Sequence, residues 1–160
     1  MADPADLDAL LEQLADDERR LQLTHFTNDD ALALGFALVE AARAELAPVT
    51  IDIRRGSQQL FHAALPGTSP DNDEWIKRKI NVVNRFGHSS FYVGTFLRKR
   101  GKTMEEVYLL DSREFGAHGG CFPILIADVG PVGTVAVSGL PQADDHRMVV
   151  TALEGLLAAG

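Results

Sequence analysis

The chain has 160 residues, of which 46% are apolar and 24% charged, so it is long enough for one full hydrophobic core and too short for two ordinary domains. Its net charge of -8 opposes binding to a nucleic-acid backbone, and no apolar run reaches the roughly 18 to 20 residues that span a bilayer. A single cysteine, Cys121, excludes an internal disulfide and a thiolate metal cage. The single cysteine and the acidic N-terminus together predict a cytoplasmic protein.

The first forty-odd residues predict two helices. An amphipathic helix is expected over residues 6–21, because leucines recur there at spacings of three and four: Leu7, Leu10, Leu11 and Leu14. This stripe is narrow enough to pack either on its own domain or on a neighbouring subunit. We therefore assign residues 1–22 as an N-terminal helix and residues 23–160 as a single domain. Thr27 is the expected cap of a second helix that runs to about Leu46 and is stopped by Pro48.

The central part of the sequence predicts a β-hairpin followed by a helix. Residues 49–53 alternate between apolar and polar side chains, residues 55–57 supply a turn, and residues 59–65 return as the partner strand. Pro70 then suits the first turn of a third helix, which should end near Gly87.

The remainder predicts a second hairpin and a final helix. Loose alternation predicts a strand over residues 89–97, and residues 104–110 are consistent with either a short strand or a helical turn. Residues 121–127 and 132–138 are two apolar strands joined by a turn, and residues 142–158 form the last helix. About five strands joined mostly as hairpins, with four helices, indicate an α+β fold in which helices cover an antiparallel sheet.

A candidate ligand site is expected where the first hairpin meets the third helix and the AHGG loop. Cationic side chains there suit an anionic ligand such as a carboxylate, and paired glycines permit close approach to the backbone. Either His62 or His118 could orient that ligand, or bind the iron if the ligand is haem. The candidate binding residues are Arg54, Arg55, His62, Asn72, Lys79, His118, Gly119 and Gly120. The sequence assigns no catalytic residue, and its histidines have no spacing typical of a metal site.

Two other polar runs have simpler interpretations. Residues 71–74 offer oxygen ligands to a hard cation, but their position after Pro70 favours helix capping. The lysines and arginines between residues 77 and 102 favour a solvated helix face and a turn over a nucleic-acid patch.

Four stretches of the sequence resemble a known family. TNDDALALG (27–35), IDIRRGSQQLFHAALPGTSPDNDEWIKRK (51–79), AHGGCFPI (117–124) and VGTVAVSGLPQADDH (132–146) are similar to a small family of uncharacterised proteins grouped with haem-degrading-domain proteins. More distantly, the order of elements is similar to extracellular haem-binding sensor proteins and glycolate-operon accessory proteins. The resemblance implies a profilin-like sandwich around an antiparallel sheet, a homo-oligomer built from dimers, and haem as a possible cofactor.

Three functional hypotheses follow from the residues and the resemblance together. The leading one is a cytoplasmic, homo-oligomeric ligand-binding or accessory domain that takes haem or a small anionic molecule. The second is an enzyme that degrades haem or another tetrapyrrole. The third is an oligomeric scaffold that captures a protein partner through its interface. Neither nucleic acid nor membrane is expected as a partner.

Overall fold

One five-stranded sheet organises the protein, whose computed structural model describes residues 3–160. The strand order is β1-β4-β5-β2-β3, and all neighbours run antiparallel except β1 and β4, which pair in parallel. The strands are β1 (Gln22–Leu23), β2 (Thr50–Arg55), β3 (Gln58–Ala64), β4 (Cys121–Ile126) and β5 (Gly130–Ser138). The predicted α+β class with a helix-covered sheet is confirmed, and the antiparallel prediction is corrected at the short β1 edge.

Residues 3–160 include six helices, which cover both faces of this sheet. They are α1 (Pro4–Arg20), α2 (Asn28–Ala44), α3 (Pro70–Phe86), α4 (Ser90–Arg100), α5 (Met104–Tyr108) and α6 (Gln142–Ala159). Helices α2 and α6 pack on one face, and α3 and α4 lie on the other. None of the helices over residues 3–160 is long and apolar enough to cross a membrane.

The larger core lies between the sheet and the α2–α6 layer. Alternate residues of the strands point into it, and the two helices contribute leucines, valines and alanines that are almost fully buried. Its largest buried side chains include Phe122, Leu34, Leu38, Ile51 and Ile53. The α3 face has a smaller core of Ile76, Ile80, Val83, Cys121 and Ala136. Because helices cover both faces, even the polar positions of β2 are buried: Asp52 is only 1% exposed.

The hairpins and most helix ends match the sequence-based predictions. Strands β2 and β3 pair around the turn at residues 56–57, and β4 and β5 pair around residues 127–129. Thr27 caps α2, accepting a hydrogen bond from the Asp30 amide at 3.1 Å. Pro70 opens α3, and Gly87 closes it in the left-handed conformation.

The predicted strand over residues 89–97 is wrong, because this segment forms α4. Ser89 caps the helix by accepting from the Tyr92 amide at 3.1 Å, and Gly101 ends it in the left-handed conformation. The buried positions Phe91, Gly94 and Leu97 share a three-residue spacing, but Gly94 has no apolar side chain, so the helical period is hidden in the sequence. Of the two alternatives for residues 104–110, the helical turn is confirmed as α5.

Helix α1 packs against α4 of its own domain. Leu7 and Leu14 are buried there, whereas Leu10 and Leu11 are half-buried, so the stripe packs in part on its own domain. Glu18 secures the end of the helix by accepting the Ser89 amide at 2.8 Å and contacting His88 Nδ1 at 2.7 Å. The assignment of residues 1–22 as a unit separate from residues 23–160 stays a prediction.

Candidate functional site

A buried ion pair lies beneath α3 at the point where β5 ends. Lys79 Nζ lies 3.4 Å from Asp145 Oδ2 and donates to the Val137 carbonyl at 3.0 Å. Asp145 in turn accepts the amides of Gly139 at 3.3 Å and Leu140 at 3.0 Å. Burial lowers the pKa of Lys79 and raises the pKa of Asp145, and each charge partly opposes the shift of the other. Lys79 is therefore buried and paired inside the fold, and its role as a ligand-binding residue stays a prediction.

The glycines of the AHGG loop are required by the same packing. Gly120 has φ +129°, and a Cβ there would collide with the Val137 carbonyl and lie 2.6 Å from Lys79 Nζ. The Gly119 amide donates to Gln142 Oε1 at 3.0 Å, which joins the loop to the start of α6. Other atoms do lie close to the backbone of these glycines, as the sequence predicted. They belong to the protein itself and not to a ligand.

Asn72 also holds structural elements together. Its Oδ1 accepts the Ser69 amide at 2.9 Å at the start of α3, as the capping interpretation of residues 71–74 expects. Its Nδ2 donates to the Ser138 carbonyl at 3.4 Å, which ties the helix start to the end of β5.

The two arginines of the first hairpin point to different places. Arg54 Nε donates to Asp52 Oδ1 at 2.9 Å, and Asp52 Oδ2 also accepts from Gln59 Nε2 at 2.6 Å. Arg55 Nη1 donates to the Phe26 carbonyl at 3.4 Å. Because neighbouring residues of a strand face opposite sides of the sheet, these arginines do not form one cationic site.

His118 has surroundings unlike those of the other histidines. His25, His62, His88 and His146 each have a ring nitrogen within 4 Å of a carboxylate, at distances of 2.8, 2.8, 2.7 and 3.8 Å. His118 has no carboxylate in that range among residues 3–160. Its pKa is lowered by partial burial and by the positive charges of Lys79, Arg98 and Arg78. At neutral pH its imidazole is therefore uncharged and has a free electron pair.

The structure fixes the His118 loop between α3 and α4. The Gly116 amide donates to the Arg78 carbonyl at 3.1 Å, and on α4 the missing side chain of Gly94 leaves room for the Ala117 carbonyl. The imidazole packs edge-on against Trp75, with ring centroids 5.2 Å apart. The guanidinium carbon of Arg78 lies 4.0 Å from the centre of the Trp75 ring.

We name His118, Trp75, Arg78 and Arg98 the His118 cluster. Sequence reasoning found His118 and missed the other three. The contact between Trp75 and Arg78 could have been predicted from the sequence, because residues three apart on a helix are neighbours. Arg98 comes directly after the segment 89–97 that was wrongly predicted as a strand, and it lies on α4 in the structure. Among residues 3–160, no group of three or more His, Cys, Asp or Glu side chains is placed to hold a metal ion.

Comparison with known proteins identifies the family. The model of the family described as haem degrading protein HbpS-like matches residues 26–154. The chain belongs to this HbpS-like family. A UPF0303 protein of Streptomyces avermitilis is 59% identical over 144 residues, covering 90% of this chain and 88% of the relative. A UPF0303 protein of Edwardsiella ictaluri is 50% identical over 139 residues, covering 87% and 88% of the two chains.

Solved structures of similar proteins support the fold. The Ybr137w protein superposes with a TM-score of 0.87 at 37% identity, covering 99% of this chain and 97% of that one. HbpS gives a TM-score of 0.64 at 22% identity, covering 85% and 92%. The PduOC:haem complex gives 0.68 at 18% identity, covering 81% and 93%. The last two, at such low identity, establish only that this HbpS-like chain shares their fold.

Proposed function

We propose that this HbpS-like protein is a cytoplasmic ligand-binding domain that takes an anionic ligand, with haem as the leading candidate, at the His118 cluster. The observation that carries the proposal is the His118 imidazole, which has no carboxylate within 4 Å among residues 3–160 and lies near the positive charges of Lys79, Arg98 and Arg78. His25, His62 and His88 are each within 2.8 Å of a carboxylate. His146 has no hydrogen-bond partner among the described residues, but it is only 6% exposed and so is closed to a ligand. The remaining sequence-predicted cations are engaged in the fold. A chain whose single cysteine, Cys121, is buried fits a reducing compartment such as the cytoplasm.

The residues of the cluster fit haem by the chemistry of their donor groups. Neutral imidazole is a common axial ligand of haem iron, and the depressed pKa of His118 keeps it in that form. Arg78 and Arg98 offer guanidinium groups to carboxylates such as the haem propionates, and Trp75 presents an aromatic ring. When bound, haem would supply redox and oxygen chemistry. The relatives named for haem make it the first ligand to test.

The test is an absorption titration of the purified protein with haemin at micromolar concentration. We expect a saturable shift of the Soret band for the wild type. Replacing His118 by alanine should weaken binding by at least about tenfold, because it removes the imidazole that would hold the iron. His62→Ala is the matched control, since His62 is engaged by Asp73 at 2.8 Å and should bind like the wild type.

The two variants separate the possible outcomes. Equal shifts in His118→Ala and wild type, with circular dichroism showing both folded, would refute the His118 cluster as the haem site. If no saturable shift appears for the wild type, haem is excluded as the ligand. The same titration with small dicarboxylates, read by Trp75 fluorescence, then tests the anion-binding half of the proposal.

Haem degradation, the second hypothesis, is tested on the same samples. A reductant such as ascorbate is added to the haem-loaded protein, and the Soret band is followed over time. Loss of the band in the wild type but not in His118→Ala supports an enzyme, whereas a stable band supports a binding domain.

We also infer that two copies associate along the β3 edge of the sheet. Strand β3 is terminal in the strand order, so one side of its backbone has no partner strand within residues 3–160. Phe36 on α2 lies beside this edge, 61% exposed and edge-on to Phe61 with ring centroids 5.7 Å apart. An exposed aromatic next to an open strand edge favours a dimer contact.

The mass of the protein in solution tests this contact. By size-exclusion chromatography with light scattering, Phe36→Glu should shift the wild-type dimer to monomer. Leu109→Glu is the control, because Leu109 is 87% exposed and lies on the other side of the domain. A wild-type monomer, or a Phe36→Glu variant that keeps the wild-type mass, contradicts the proposed contact.

A further inference from the structure

A groove of about 610 Å³ runs between α2 and α6, on the opposite face of the sheet from the His118 cluster. Its walls are mostly apolar, and small residues form its floor: Ala33, Ala37 and Ala41 on α2, and Ala152 and Gly155 on α6. Side chains this short let another backbone approach closely. The α2 wall from Ala33 to Glu45 is about 18 Å long at 1.5 Å per residue, which matches about three turns of a further helix.

The charged residues at the groove indicate whether a helix that binds there would be basic or acidic. Glu45 lines one end of the groove, is exposed, and has no ion pair among residues 3–160. The one lining cation, Arg147, is neutralised by Asp144, with Nη1 and Oδ1 2.9 Å apart. The free charge around the groove is therefore negative, as is the chain as a whole. A cationic segment is attracted to such a rim and an acidic one repelled.

This charge argues against the occupants that the protein itself could supply. A second copy of the same face would bring its own Glu45 against this rim. Helix α1 of a neighbouring copy has an acidic first half and already packs on its own α4. The complementary occupant is a basic helix from a different protein.

We propose that the α2–α6 groove binds one amphipathic helix of a partner protein, about three turns long, with an apolar face and lysine or arginine side chains on its flanks. This is helix-in-groove recognition: apolar anchors recur at helical spacing in the groove, and the basic flanks pair with the acidic rim. The site is separate from the His118 cluster, so the protein could hold a ligand on one face and a helix on the other.

The test uses two synthetic peptides of about 14 residues with the same alanine and leucine face. One carries lysines on its flanks and the other carries glutamates at the same positions, and both bear a fluorophore. Fluorescence anisotropy with the full chain should give a dissociation constant at least about tenfold lower for the lysine peptide at low salt. The difference should shrink as salt is added, because exposed charges are screened.

Two variants at Gly155 locate the binding. A Cβ on Gly155 meets no atom within 4 Å, so a side chain has room to leave the helix at this position. We expect Gly155→Leu to fill the groove and weaken the lysine peptide by at least about tenfold, while Gly155→Ala stays within about twofold. Glu45→Gln should weaken the lysine peptide alone.

Three outcomes would overturn the proposal. Equal binding of the two peptides removes the charge argument. Wild-type affinity of Gly155→Leu for the lysine peptide places the contact elsewhere. Finally, the absence of binding by either peptide refutes the proposal, and if Gly155→Leu then also lowers the mass measured by light scattering, the groove belongs to a second copy of this chain.

Discussion

Replacing Lys79 by methionine should destabilise the protein strongly and in a pH-dependent way. The ion pair with Asp145 spans 3.4 Å, and the two side chains are only 4% and 3% exposed. Coulomb's law gives an attraction of about 5 kcal/mol at this distance with an effective dielectric of about 20. Breaking such a buried pair from one side costs about 3–5 kcal/mol, because the remaining charge stays buried. The loss is a large part of the about 5–15 kcal/mol that holds a domain together.

The sign of the pH dependence follows from Asp145. Burial already raises its pKa, and Lys79 is the main opposing influence. Without Lys79 the folded pKa of Asp145 rises further above its unfolded value of about 3.9. A carboxyl with a raised folded pKa makes the unfolding free energy fall as pH rises from the unfolded pKa through the folded one. The loss of unfolding free energy in Lys79→Met should therefore be small near pH 4 and reach its full value at pH 8.

Urea denaturation followed by far-ultraviolet circular dichroism measures this deficit at the two pH values. Lys77→Met is the matched control on the same helix, because Lys77 pairs with Glu74 at the surface and should change stability by less than about 0.5 kcal/mol. The double variant Lys79→Met with Asp145→Asn should recover part of the loss at pH 8. A deficit below about 1 kcal/mol at pH 8, or one equal at both pH values, would refute the reasoning.

Three further predictions rest on single positions. Gly120→Ala places a Cβ against the Val137 carbonyl at φ +129°, and should lower the melting temperature by several degrees in calorimetry. Leu34→Ala, at a site only 1% exposed, should cost about 2–5 kcal/mol in urea denaturation; a loss under about 1 kcal/mol would contradict the packing described. Glu18 raises the pKa of His88 above 6.5, so this contact stabilises most below about pH 6.5 and less as pH rises through the folded pKa. His88→Gln should therefore lose more stability at pH 6 than at pH 8.5, and an equal loss at both would exclude the linkage.

Local sequence patterns predicted the hairpins well because each hairpin has its signals within about twenty residues. The alternation in β2 and the glycine turn at residue 56 are both visible without tertiary information. The same reasoning failed at α4, where Gly94 conceals the buried stripe. Strand β1 has two residues, Gln22 and Leu23, too few to show any period, and it pairs with a strand about a hundred residues away.

The sequence predicted some residues of the candidate site, but it did not predict which groups surround them. His118 and Lys79 were both selected for their chemistry, yet one faces cations at the surface and the other a carboxylate in the interior. Asp145 is 66 residues from Lys79 in the sequence, and no local pattern links them. The cations around His118 come from α3 and α4, so the cluster could be recognised only after the strand prediction at residues 89–97 had been replaced by a helix.

The reactivity of the Cys121 thiol can be used to measure how often α3 separates from the sheet. The thiol is the only one in the chain, is fully buried under α3, and has its pKa raised by burial, so the closed protein holds it in an unreactive form. A thiol reagent can reach it only when α3 lifts from the sheet. The labelling rate therefore measures how often this layer separates, and comparing it with global unfolding shows whether the face that carries the His118 cluster opens independently of the α2–α6 face.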